Sequence, residues 1–167
     1  MYLTERCGRE DVGNMNWLEL KVPPLLLFLI VAAGMWGLNQ LIPQLSFTVP
    51  YQFVIGAVLI LLGGLIGFAG LIEFARHKTT VHPLRPHKAS KIVDTGIYRR
   101  SRNPMYLALL ICLTGWGLIL GNPLNLFLII LFTLYIDRFQ IEPEEQAMIE
   151  RFGDDFLEYR ENVRRWM

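Results

Sequence analysis

Between Asp94 and Tyr106 the chain reads Asp-Thr-Gly-Ile-Tyr-Arg-Arg-Ser-Arg-Asn-Pro-Met-Tyr, a polar, basic turn that runs straight into an apolar stretch. Arginines and tyrosines at the point where a hydrophobic helix begins suit a pocket for an anionic or carboxylate-bearing ligand. Asp94-Thr-Gly has turn chemistry, and Pro104 suits the first position of a helix. The free N–H groups of that helix's first turn can face the same anion. Further on, Glu142, Glu144 and Glu145 open a second polar segment. Read alone, these acids are a solvated first helical turn that favours the helix dipole.

Four apolar runs must carry these segments: 22–42, 51–72, 104–120 and 123–139, the last running on as a helix through Asp137-Arg138-Phe139. The chain is 53% hydrophobic and 19% charged, too apolar for an ordinary soluble domain. The first two runs are long enough to cross a bilayer alone. The last two are separated only by Gly121-Asn122 and read as a helical hairpin. Lys and Arg number three before the first run, eight between the second and third, and five from Arg138 onward; the loops at 43–50 and 121–123 carry no charge. The positive-inside rule then puts both termini and the long loop in the cytoplasm, as in a bacterial-type inner membrane. The expected fold is all-α: an integral membrane bundle of four transmembrane helices in one domain, 1–167. A cytoplasmic tail (1–21) precedes it, and cytoplasmic segments 73–103 and 140–167 form the pocket. No cleavable signal peptide is visible, and Met15 is an alternative start. Cys7 and Cys112 lie in different surroundings and do not suggest a disulfide framework.

Other features have plainer readings. Gly63, Gly67 and Gly70 lie near one helix face and suit close helix packing, or else a groove of bare backbone. His77, His82 and His87 are five residues apart and interrupted by prolines, so no metal site is expected. Anionic lipid headgroups explain Arg76, Lys78 and Lys88 of the basic loop well, and the arginines bracketed by Thr95–Tyr98 and Asn103–Tyr106 less well; no nucleic-acid partner is expected. Met148, Ile149, Phe152, Phe156, Tyr159 and Val163 form a helical stripe, and Gly153 followed by Asp154-Asp155 suggests a break and a new N-cap.

Taken together, Gly96-Ile97-Tyr98, Arg102-Asn103-Pro104-Met105-Tyr106, Glu144-Glu145, Phe152-Gly153, Tyr159 and Arg165 resemble the motifs of the membrane methyltransferases that include isoprenylcysteine carboxyl methyltransferases and phospholipid N-methyltransferases. Thr79-Thr-Val-His-Pro83 is similar to that family's lead-in, and the resemblance covers about residues 60–166. Asn103 stands where the family more often has histidine, which shifts the subfamily. The resemblance implies S-adenosylmethionine as cofactor, held by Gly96, Tyr98, Arg102, Asn103, Tyr106, Glu144 and Glu145. Arg102, with Arg99, can pair its carboxylate; Glu144 or Glu145 can accept from its ribose or amino group; Tyr98 and Tyr106 can stack on adenine or face the sulfonium. Arg102 and Glu142 are the candidate catalytic residues, Glu142 or His82 being the candidate general bases. The membrane setting implies a lipid-like or prenylated acceptor entering sideways, with Gly115, Trp116 and Gly117 either lining that route or packing helices. Two other classes share the composition: a non-catalytic membrane scaffold or lipid-binding protein, and an NADPH-dependent membrane reductase, which would want more spans.

Overall fold

The computed structural model describes residues 19–77 and 92–167. The side chains of all three histidines, the 79–83 segment, Cys7 and Met15 lie outside the described residues. Among those described, the chain is helical with no strand. Two helices, α1 (Pro24–Leu41) and α2 (Gln52–His77), are long and apolar enough to cross a membrane. α3 (Pro104–Leu120) is equally apolar but shorter. α4 (Asn125–Ile136), α5 (Glu142–Phe152) and α6 (Asp154–Asn162) follow.

Helix ends follow the local sequence. Proline opens α1 and α3, where a missing N–H costs nothing. Gly121 closes α3 with φ +68°, a left-handed conformation suited to glycine, and its N–H returns to Gly117 and Leu118. Asn122 then donates to the Ile42 carbonyl at 3.1 Å, tying the α3–α4 turn to the end of α1.

α3 is the central helix. α2 lies antiparallel along it, and the two backbones meet directly at Gly56 and Gly115. A Cβ added to Gly56 would sit 2.7 Å from the Gly115 carbonyl oxygen, and one on Gly115 would sit 2.6 Å from that of Gly56. Such contacts need bare backbone. On the other side α1 and α4 pack on α3, with Gly117 against Met35 and the Trp116 indole donating to the Ala32 carbonyl at 3.1 Å. The core is Met35, Tyr106, Leu113, Phe132, Ile136 and Ile141. Outward, Phe53, Leu61 and Leu65 of α2 and Leu126 and Phe127 of α4 are more than half exposed, an apolar surface suited to lipid.

The fourth apolar run differs from its expected bounds. α4 starts at Asn125 and does not stop, but passes through a π-turn (Asp137–Ile141) directly into α5. Pro143 explains the wide turn: it has no N–H, and its ring crowds the carbonyl four residues back in a regular α-helix. The Glu142 N–H instead reaches the Asp137 carbonyl, five back. The second run also differs, since α2 continues past Ile72 to His77. Gly153, φ +55°, makes the expected break, but Asp154 is the first residue of α6, and no side chain caps that helix.

Candidate functional site

The arrangement leaves a cavity of about 720 Å³ over α3. Met105, Ala108, Leu109 and Cys112 form its floor. Gly64, Phe68, Leu71 and Phe74 of α2 form one wall, and Pro23, Pro24 and Leu25 form the other. The polar end is closed by Tyr98, Arg102, Asn103, Glu144, Glu145 and Tyr159. Two polar segments far apart in sequence thus share one end of one cavity.

Within it, the two adjacent glutamates do different things. Glu145 is buried and committed: Oε1 accepts from Arg102 Nε (3.1 Å) and NH2 (2.8 Å), and Oε2 from Arg165 NH2 (2.7 Å). Glu144 accepts from the Tyr106 hydroxyl at 2.5 Å through one oxygen. Its other oxygen has no partner among the described residues and belongs to the cavity. Burial pushes the Glu144 carboxyl up to about 8; the Tyr106 hydrogen bond opposes this, and the neighbouring Glu145 charge adds to it. Successive helical residues point about 100° apart, so one of the pair faces the arginines and the other the cavity.

Arg102 lines the cavity, but its guanidinium is already engaged. Besides Glu145, NH1 donates to the Arg160 carbonyl at 2.8 Å and the Val163 carbonyl at 2.6 Å. One of its five N–H groups remains uncommitted. This differs from the expectation that Arg102 pairs a ligand carboxylate. These carbonyl partners sit on α6 and the strap after it, which the local sequence around Arg102 does not reveal. The strap is pinned further: the Arg102 N–H donates to the Arg164 carbonyl at 3.0 Å, and Ser101 Oγ and Asn103 Nδ2 donate to that of Arg165 at 3.3 and 3.2 Å. Arg165 also pairs Asp137 at 3.1 Å, and its interaction with Glu145 holds the guanidinium above its ordinary range.

The tyrosines form the aromatic part. Tyr98 is buried edge-on to Phe74, their ring centroids 5.3 Å apart, and its carbonyl accepts from the Tyr159 hydroxyl at 2.8 Å. Burial pushes both phenols above the usual tyrosine range, so both stay neutral.

Three expected site residues stand outside the cavity. Gly96 supports it from behind: with φ +56°, it lies against the Glu73 carboxyl group, whose atoms would come within 2.6 Å of a Cβ. Glu73 in turn accepts from Thr95 Oγ1 at 2.6 Å, fixing the turn that carries Tyr98. Glu142 turns away, half-exposed, and pairs Arg138 at 2.7 Å, the ordinary i,i+4 arrangement. Arg99 is exposed. The solvated-turn reading of the three acids therefore suits Glu142 alone. Gly115, Trp116 and Gly117 pack helices and do not line the cavity. Glu73, Ser101 and Asp137 were not singled out by sequence. Glu73 carried a signal, being one of only two acids in a basic loop.

Comparison with known proteins adds to this geometry. The family model described as phospholipid methyltransferase matches residues 51–155, a range that takes in α2, the Tyr98 turn, α3 and Glu144-Glu145. An uncharacterized protein of Haemophilus influenzae is 46% identical over 63 residues, 38% of this chain and 100% of that one. The protein-S-isoprenylcysteine O-methyltransferase of Saccharomyces cerevisiae is 33% identical over 114 residues, 66% of this chain and 46% of the yeast protein. A probable protein-S-isoprenylcysteine O-methyltransferase of Oryza sativa subsp. japonica is 31% identical over 128 residues, 74% of this chain and 64% of the rice protein. The chain thus spans about half to two-thirds of the length of these named methyltransferases. No solved structure gives a significant match. With the match running over well more than half of its length, the chain belongs to the phospholipid methyltransferase family.

Proposed function

We infer that this chain is an integral membrane methyltransferase that uses S-adenosylmethionine to methylate a lipid-tailed acceptor, best an isoprenylcysteine-like carboxylate, at the cytoplasmic membrane face. The observation that carries this is the continuity of one cavity from a polar end holding Glu144 to an apolar end flanked by α1 and α2. The four-span topology with both termini cytoplasmic belongs to the same reading, and the loop charges support it. The named relatives support a carboxylate acceptor over a phospholipid amine.

The residues suit such a cofactor. A cavity of about 720 Å³ has the size of a cofactor site. Glu144 supplies a carboxylate oxygen for a ribose hydroxyl or the amino group. Tyr98 and Tyr159 supply aromatic faces beside it. The Met105 and Tyr106 N–H groups, in the first turn of α3, lack intrahelical acceptors and suit the cofactor's carboxylate. Arg102 contributes mainly by holding Glu145 and the strap.

When bound, the cofactor supplies the activated methyl carbon and a neutral leaving group. The chain supplies alignment and dryness. Tyr98, Phe156 and Tyr159 exclude water from the polar end. A carboxylate acceptor has no proton to lose, so Glu142, turned outward, is not needed as a base.

Titration of the purified protein in detergent with S-adenosylhomocysteine, with NADPH as control, tests the cofactor class. Saturable binding of the nucleoside thioether alone, followed by transfer of labelled methyl to an N-acetyl-S-prenylcysteine, is the expected result. Binding of NADPH instead would favour the reductase class, and binding of neither by folded protein a scaffold.

A further inference from the structure

Pro23, Pro24 and Leu25 form one wall of the cavity, and the two prolines have no N–H with which to anchor it. The anchor comes from the residues just before them, and it is the π-turn. The Leu20 N–H donates to the Phe139 carbonyl at 3.1 Å, and Gln140 Nε2 donates to the Val22 carbonyl at 2.8 Å. Leu20 has φ +54°, a left-handed conformation unfavourable to leucine that persists only where neighbouring contacts hold it. The sequence of the π-turn explains both contacts. Phe139 lies four residues before Pro143, which has no N–H to offer its carbonyl, and that carbonyl takes the Leu20 N–H. Gln140 is 0% exposed, yet its Oε1 has no partner among the described residues. A buried, half-paired amide is a poor way to fill a core, and a methionine would occupy similar space without the orphaned oxygen. Core packing therefore gives no reason for glutamine here, whereas the bond to Val22 does.

We propose that Gln140 is a positioning residue of the site. With the Phe139 carbonyl it forms a two-point clamp that holds the Pro23–Leu25 wall in a fixed relation to the helix carrying Glu144 and Glu145. That helix continues from the π-turn without a break, and Glu144 follows Gln140 by about one turn. Two sides of the cavity from distant parts of the chain are thus tied at adjacent residues. Gln140 does not line the cavity and acts through the wall it holds. Without the clamp, ligand binding must itself restore the wall, and apparent affinity falls by the fraction of molecules in which it is displaced. The effect on cofactor affinity rests on the methyl-transfer reading; the clamp does not.

The Leu20 amide is the reporter, followed by hydrogen exchange of the full chain in detergent with no ligand present. Gln140→Met is expected to speed exchange at Leu20 roughly tenfold, although residue 140 does not bond Leu20, while the protein melts with the parent because the orphaned oxygen leaves with the lost bond. Titration with S-adenosylhomocysteine should show affinity weakened about fivefold to tenfold. Gln146→Met, on the exposed face of α5, should change neither reading. Pro143→Ala is the second lever and carries the exchange test if Gln140→Met does not fold. It supplies an N–H for the Phe139 carbonyl and should free the Leu20 amide while favouring the helix. Leu20 exchange unchanged in Gln140→Met, or in Pro143→Ala where that variant carries the test, overturns the clamp. Faster exchange with unchanged affinity overturns the positioning role. Failure of the parent itself to bind S-adenosylhomocysteine would count against the methyl-transfer reading, and the exchange result would still decide the clamp.

Discussion

Arg102 and Glu145 are locked to each other: two guanidinium N–H groups converge on one carboxylate oxygen at 3.1 and 2.8 Å, with both side chains only 10% exposed. A pair this enclosed is costly to halve, because the surviving charge stays buried. Arg102→Ala is therefore expected to lower stability by about 3–5 kcal/mol, read as an earlier thermal melt in detergent, and Arg102→Lys to recover little, since an ammonium cannot reproduce the fork. A variant that melts normally yet no longer binds S-adenosylhomocysteine would return Arg102 to the role of a ligand residue. Glu145→Gln should likewise cost far more than Glu150→Gln, whose side chain sits on an exposed helix face.

Glu144 gives a pH signature. Its carboxyl titrates near 8 in the folded protein, against about 4.5 as its ordinary value. The folded state therefore holds the proton more tightly than the unfolded state. The stability that this contributes is fully present below about 4.5 and is lost as pH rises through about 8. A cationic ligand favours the ionised form, so its affinity should rise with pH over the same window, with proton release on binding. Glu144→Gln should flatten both the melting-versus-pH curve and the affinity profile. Parallel curves for the two proteins would show that Glu144 does not titrate there.

Gly96→Ala meets two obstacles, a left-handed backbone and the Glu73 carboxyl group. The backbone alone costs roughly 1–2 kcal/mol. Glu73→Ala should relieve the second obstacle but not the first, so the double variant should lose less than the sum of the singles. Additive losses in a double-mutant melting cycle would place the whole cost in the backbone.

The α2–α3 contact predicts opposite signs for two alanine substitutions. Gly115→Ala drives a methyl into the Gly56 carbonyl and should cost about 1–3 kcal/mol. Gly64→Ala meets open space and should be neutral or stabilising by up to about 1 kcal/mol. Equal melting temperatures would mean the two helices are free to move apart.

Local signals were legible where a single residue decides the outcome. Pro24 and Pro104 start their helices, Gly121 ends α3, and Gly153 breaks the tail, all as the sequence alone suggests. The meeting of the Tyr98–Tyr106 turn with Glu144-Glu145 was legible through the motif pattern, since periodicity does not bring those segments together. The π-turn before Pro143 was not legible, because a proline in the second helical position is ordinary and only the uninterrupted run from α4 makes it a conflict. Nor was the division of labour between Glu144 and Glu145. It depends on which helical face meets Arg102 and Arg165, and those arginines arrive from opposite sides of Glu144-Glu145 in the sequence. Arg102 itself looked like a ligand residue because two of its acceptors are backbone carbonyls, which no side-chain pattern announces.

The carbonyls of residues 160, 163, 164 and 165 complete the wall around Arg102, Ser101 and Asn103. During synthesis these residues are added after α1 to α4, so the apolar helices are made before that wall exists. Making the apolar helices and completing the pocket are therefore separate events in the life of the molecule. A chain halted just short of Arg160 would hold α1 to α5 without a finished pocket.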